Sequence, residues 1–185
     1  PWYDHVEKFA GISGSKEGLP QLPDGEFLPP MDLTDPEKDF KAKLEKAFPG
    51  RRLIAGRCAH LTSAQPHHLQ LGRAPCQYRS LCERGCSYGA YFSSLSATLP
   101  AARRTGNLTI VTDSIAHSLV YDPHSRKVSG VRVIDADTHE GRTYQARMVF
   151  LCASAIPTAQ ILLNSACEAF PDGLANRSGA VGRYL

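Results

Sequence analysis

Residues 149–164, VFLCASAIPTAQILLN, constrain the fold of this chain most. The apolar run 148–152 predicts a strand covered on both faces, because a strand with one solvated face alternates instead. Ala153, Ser154 and Ala155 follow it, and residues 155–166 then predict a helix with Ala159, Ile161, Leu162 and Leu163 turned inward. Small side chains at such a junction let main chain approach a ligand diphosphate closely, and the first helical N–H groups are free to meet it. The same residues also suit an ordinary strand-to-helix turn whose small side chains serve packing alone.

The rest of the chain divides into two textures. Residues 2–10 predict a helix with Trp2, Val6 and Phe9 on one face. Residues 15–33 are rich in proline and glycine and read as a surface loop. Thr34 or Asp35 caps a second helix running to about Phe48, with Pro36 in its first turn and Pro49-Gly50 as its stop. Residues 52–61 read as a strand and 62–87 as irregular, with His67 and His68 solvated. A helix is expected over 89–104, ended or kinked at Pro100. Beyond Asn107 the pattern turns to short strands at 108–111, 115–121, 128–135 and 142–146, leading into the apolar run. Helices followed by an antiparallel meander and a buried strand–helix unit give an α/β pattern.

Charge and hydropathy exclude several functions. A net charge of +3, with scattered basic residues, is too weak for a nucleic-acid footprint. No apolar run approaches the roughly 18 residues needed to span a bilayer as a helix. There is no GxGxxG or HExxH.

Of the six cysteines, Cys76, Cys82 and Cys86 crowd together in CQYRSLCERGCSYGA. A loop that doubles back can point such thiolates at one iron–sulfur centre. Zinc is a second reading, with His67, His68 or Cys58 as a remote ligand. One disulfide with a spare thiol, or free thiols, is a third. Cys152, inside the apolar run, reads as a small buried hydrophobe.

In order, the chain carries GAYFSSLSATLPAARRTGNLTIVTDSIAHSLVYD, a meander, ARMVFLCASAIPTAQILLNS and GLANRSGAVGRYL. In that order they resemble the glucose–methanol–choline (GMC) family of flavin oxidoreductases, nearest to its gluconate- and sugar-dehydrogenase-like branch. The likeness is strongest from about Arg84 onward and thinner over 14–70. Ser154, Ala155 and Thr158 fit the family's second signature, whereas Ala159 stands where Pro or Ser is usual. Ser165-Ala166-Cys167-Glu168 replaces the usual Ser-Gly-aliphatic-Gly. The cysteine spacing is similar to that of iron–sulfur-bearing members, although Arg79 stands where many of them have a fourth Cys.

The resemblance implies FAD as cofactor. It implies main-chain contacts to adenine at Ile115 and Ala116, and a flavin-facing turn at Cys152, Ala153, Ser154 and Ile156. It implies an α/β fold: the later half of a glutathione-reductase-like FAD-binding domain with a small antiparallel meander, plus an irregular Cys-containing segment. Residues 88–185 are then the partial FAD-binding domain, and residues 1–87 a cap or substrate-side segment. The implied reaction is oxidation of CH–OH groups of sugars, aldonic acids or other alcohols, with an electron-acceptor subunit or cytochrome as partner. No histidine here matches the family's catalytic base, which is expected beyond Leu185, so the chain reads as an internal fragment. The alternative is a non-catalytic iron–sulfur or zinc module for electron transfer. The compartment stays open between periplasm and cytoplasm.

Overall fold

Local capping signals set the first elements. In the computed structural model, which describes residues 2–184, α1 spans Trp2–Ala10 and α2 spans Asp35–Ala47. Thr34 is extended at the start of α2, and the Glu37 carboxylate accepts both its N–H and its hydroxyl at 2.7 Å. That capping arrangement satisfies donors that a helix start leaves bare. The chain forms two compact units, Pro1–Leu108 and Thr109–Leu185.

The first unit is organised around Leu61, which is fully buried. Its N–H donates to the Ala90 carbonyl, and its own carbonyl accepts from Cys76 N–H at 2.7 Å. Gly11 closes α1 at φ 76°, and a side chain there would strike the Leu61 methyl. Only glycine combines that left-handed turn with so close an approach. Residues 52–61 do not form the expected strand. They touch neighbours through isolated bridges, Ser13 with Cys58 and His60 with Tyr91, and no strand among the described residues runs alongside them.

The segment 62–87 is less irregular than its sequence suggests. Pro66–Gln70 forms α3, and Cys82–Arg84 a single 3-10 turn. His68 is buried, not solvated. Its Nδ1 accepts from Gln65 N–H at 3.1 Å, so Nε2 carries the proton and donates to the Lys8 carbonyl at 2.9 Å. Arg73 is 1 % exposed and donates to the carbonyls of Phe9, Gly89 and Ala90. Residues 89–104 begin without a helix. A π-helical turn spans Ser94–Thr98, and α4, Leu99–Arg104, follows it directly. Pro100 falls in the first turn of α4, where its missing N–H costs no bond.

The second unit contains β1 (Ser114–Asp122), β2 (Lys127–Asp135), β3 (Gly141–Gln145) and α5 (Ala155–Asn164). The strands form one antiparallel sheet in the order β1-β2-β3. Asp122 fastens the first turn by accepting from His124 N–H and Ser125 N–H. Asp135 does the same for Asp137 and Thr138 in the second. Ser165, 4 % exposed, ties α5 to the sheet: its hydroxyl donates to Ile161 O and accepts from Leu119 N–H at 2.8 Å.

Two further expected strands are absent. Residues 108–111 form no regular element, and neither do 148–152, where Met148 and Phe150 are exposed. A strand needs a partner for its N–H and C=O groups. No strand among the described residues lies beside the apolar run. For the same reason α5 buries Ile161 but leaves Leu163 exposed. The fold is a mixed α/β arrangement with a small three-stranded antiparallel sheet.

Two outcomes follow from this packing. Burial, the largest effect, holds His68 below its ordinary 6.5; the Lys8 carbonyl opposes it, and the charges of His67 and Arg73 reinforce it. On acidification the unfolded chain therefore takes up this proton before the folded one. Stability from the neutral ring is whole above pH 6.5 and is lost as pH falls below it toward the lower folded value. Chemical denaturation across that range should show a falling midpoint, and His68→Gln should flatten the fall. Ser165→Ala strands the Leu119 N–H and should cost about 1–3 kcal/mol. Hydrogen exchange should then quicken at Leu119 while α2 stays as protected as before.

Candidate functional site

β1 is an edge strand, so one side of its main chain faces no other strand among the described residues. Ile115 sits opposite Ile134 and Ala116 opposite Val133, with a bulge immediately beyond Ala116. Past the bulge the free edge is covered by α5: Asn164 donates to His117 O, and Ser165 accepts from Leu119 N–H. Ile115 and Ala116 lie before that cover, and both are exposed.

The other end of α5 carries the strand-to-helix junction. Ser154 is its extended N-cap (φ −62°, ψ 168°), and no side chain caps the helix start. Thr158 folds back, its N–H donating to Ser154 O and its hydroxyl to Ala153 O, each at 2.8 Å. Cys152, Ala153, Ser154 and Ile156 are all exposed. Cys152 is thus not the buried hydrophobe expected, because no strand among the described residues lies beside the run 148–152 to cover it. A helix of this length is about 15 Å long. The β1 edge and the junction therefore stand apart at opposite ends of α5, within one unit. Small residues and uncapped helical N–H groups suit a phosphate-bearing ligand, and an open strand edge suits a planar base with hydrogen-bonding edges.

A second site lies in the first unit. A cavity of about 240 Å³ is lined by His60, Cys76, Cys82, Cys86 and the rings of Tyr78 and Tyr88. The sequence-predicted cysteines do share this cavity, but their sulfurs face different partners. Cys76 accepts from Tyr78 N–H, and Cys82 lies 3.3 Å from His60 Nε2. Burial pushes the Cys86 thiol up, yet N–H groups of Tyr91, Tyr88, Ala90 and Gly89 together hold it below its ordinary value. No group of three or more His, Cys, Asp or Glu among the described residues is placed to hold a metal ion. The described residues therefore lend an iron–sulfur cluster no support. Zinc fares no better: His67 and His68 both turn to the Lys8 carbonyl, away from the thiols.

Sequence reasoning passed over His60. Its Nδ1 is 3.0 Å from Cys58 Sγ, and its ring stacks on Tyr91 at 4.8 Å. The available signal was Cys58-x-His60 in an extended segment, since residues two apart there share a face.

Residues 65–185 match the family model described as GMC oxidoreductase. Paromamine 6'-oxidase of Streptomyces fradiae is 28% identical across the full chain, which covers 32% of that relative. 6'''-hydroxyparomomycin C oxidase of Streptomyces lividus is 34% identical over 62% of this chain and 21% of its own length. 2-methyl-1,2-propanediol dehydrogenase of Mycolicibacterium austroafricanum is 38% identical over 42% of this chain and 14% of its own length. The chain thus spans a third or less of these curated relatives. With more than half of its residues matched by one family model, the chain belongs to the GMC oxidoreductase family.

Proposed function

We propose that this chain is part of the FAD-binding domain of a flavin oxidoreductase that oxidises alcohol groups of a small molecule. Residues 88–185 supply the later half of that glutathione-reductase-like domain, and residues 1–87 a cap or substrate-side segment. The observation that carries this reading is the exposed junction at Cys152, Ala153, Ser154 and Ile156. It joins an uncapped helix start to an apolar run that no strand among the described residues covers. Met148, Phe150 and Ile156 are exposed large hydrophobic residues. Such a concentration of apolar surface is costly unless a ligand or further protein covers it.

In this reading Ile115 and Ala116 offer main-chain groups of the β1 edge to the adenine. Ala153 and Ser154 keep the turn thin, so that N–H groups at the start of α5 reach the cofactor. Bound FAD supplies an acceptor for the hydride removed from the substrate carbon. The catalytic base is assigned to a part of the full-length protein beyond Leu185. The names of the relatives, oxidases and dehydrogenases of hydroxylated compounds, support an alcohol or sugar substrate. An electron-acceptor subunit or cytochrome is the partner a dehydrogenase of this kind would need. A non-catalytic iron–sulfur or zinc module has no metal-holding group among the described residues to support it.

The test uses the full-length protein that carries this chain. It should purify with flavin absorbance and one FAD per polypeptide. Ala153→Phe should remove most of that flavin while circular dichroism stays unchanged. Ile115→Ala should leave flavin content nearly intact, because the contact there is through main chain. A flavin-free protein, or full occupancy in Ala153→Phe, would overturn the reading. The isolated chain, which lacks a GxGxxG loop, should bind FAD far more weakly than the full-length protein.

A further inference from the structure

We propose that α2 is a self-association surface, on which a second copy of the protein docks its own α2 in antiparallel orientation. The surface lies wholly within the first unit and does not depend on the flavin reading.

α2 stands out in that unit. It has 13 residues and buries none of them. No other helix or strand among the described residues packs broadly against it. A helix of this length is marginal in water unless one face is packed. Its two ends are nonetheless held. Before it, the Thr62 hydroxyl donates to Pro29 O at 2.6 Å, and after it, Lys41 Nζ donates to Leu53 O at 2.7 Å. The helix is thus fixed to its unit while its face stays open.

That face carries one apolar stripe. Phe40, Leu44 and Phe48 recur at a spacing of four, which sets them along one side of the helix. Phe40 and Phe48 are 55% and 61% exposed, and Leu44 is partly exposed. Charged residues flank the stripe: Lys38 pairs with Asp35, Lys43 with Asp39 and Lys41 with Glu45. Exposed apolar surface rimmed by charge is the mark of a protein contact.

The order of the charges selects the occupant. The N-terminal half of α2 carries Asp35, Glu37 and Asp39 against Lys38. The C-terminal half carries Lys41, Lys43 and Lys46 against Glu45, with Arg51 and Arg52 just beyond. One half is acidic and the other basic, so the face is its own electrostatic complement once reversed. The two helix dipoles also run in opposite senses in that orientation, which brings each positive end to a negative one. A two-fold axis beside Leu44 sets Leu44 against its own copy and Phe40 against Phe48 of the second copy. It also sets Lys41 on the same flank as Glu45 of the second copy, twice over by symmetry. Such a contact uses one patch twice. With three large apolar side chains from each copy it falls at the small end of specific interfaces, below roughly 1,200 Å², so the dimer is reversible.

The test is sedimentation of the full-length protein that carries this chain. Its mass should rise from that of a monomer near about 1 µM toward twice that value near about 100 µM, as a small interface predicts. Phe40→Glu should keep the protein monomeric over the whole range. Its circular dichroism and melting temperature at low concentration should match the unaltered protein, because Phe40 is exposed in the single copy. Glu45→Lys sets like charges against each other and should weaken the dimer about tenfold, and adding Lys41→Glu should restore most of that loss. A mass that stays monomeric throughout, with Phe40→Glu lowering the melting temperature, would overturn the proposal and identify the rest of the full-length chain as the cover of α2. A dimer unmoved by Phe40→Glu would overturn it as well, and so would a Glu45→Lys loss that Lys41→Glu fails to recover.

Discussion

The first unit depends on a guanidinium placed where no water reaches it. Arg73 bonds the carbonyls of Phe9, Gly89 and Ala90, segments far apart in sequence, and lies against the face of Phe92. Burial lowers its pKa, and the neighbouring Cys86 offsets part of that loss. A charge desolvated this way is tolerable only when its donors all find acceptors, and main-chain carbonyls provide them. The same contacts fix the chain around residues 86–90, where consecutive N–H groups turn toward the Cys86 sulfur. His68 works in parallel, closing the end of α1 through the Lys8 carbonyl. Both polar residues sit where a small unit with few large apolar side chains lacks other means of locking its loops.

In the second unit a single hydroxyl has the corresponding role. Ser165 joins the last turn of α5 to the β1 edge and so determines which stretch of that edge is covered. The remainder, at Ile115 and Ala116, stays open. Because α5 is anchored at its C-terminal end, its N-terminal end projects with the small residues of the junction. An edge strand and an uncapped helix start are unstable features to leave bare. Their coexistence here fits a chain that spans a third or less of its relatives.

Much was legible along the chain. The capping of α2, the meander, its two aspartate-fastened turns and the start of α5 follow local rules of hydrogen bonding and periodicity. The family was legible too, because its motifs recur in order. The run 148–152 and the segment 52–61 were misread for one reason: apolar or β-branched composition shows that a segment suits a strand, not that a partner strand exists. His68 was read as solvated because a His-His pair in a proline-started segment gives no sign of burial. The crowding of Cys76, Cys82 and Cys86 was visible, but the direction of each sulfur was not.

By itself, then, the sequence determined the local elements and the family, since both are written in spacing along one chain. Tertiary structure alone decided that His60, not a fourth cysteine, faces the thiols, and that Arg73 and His68 are buried. It also decided that Ser165 covers one part of the β1 edge and leaves another open. Those outcomes join residues roughly 16 to 64 positions apart. Contacts of that separation depend on where the chain returns in space, which no short-range pattern encodes.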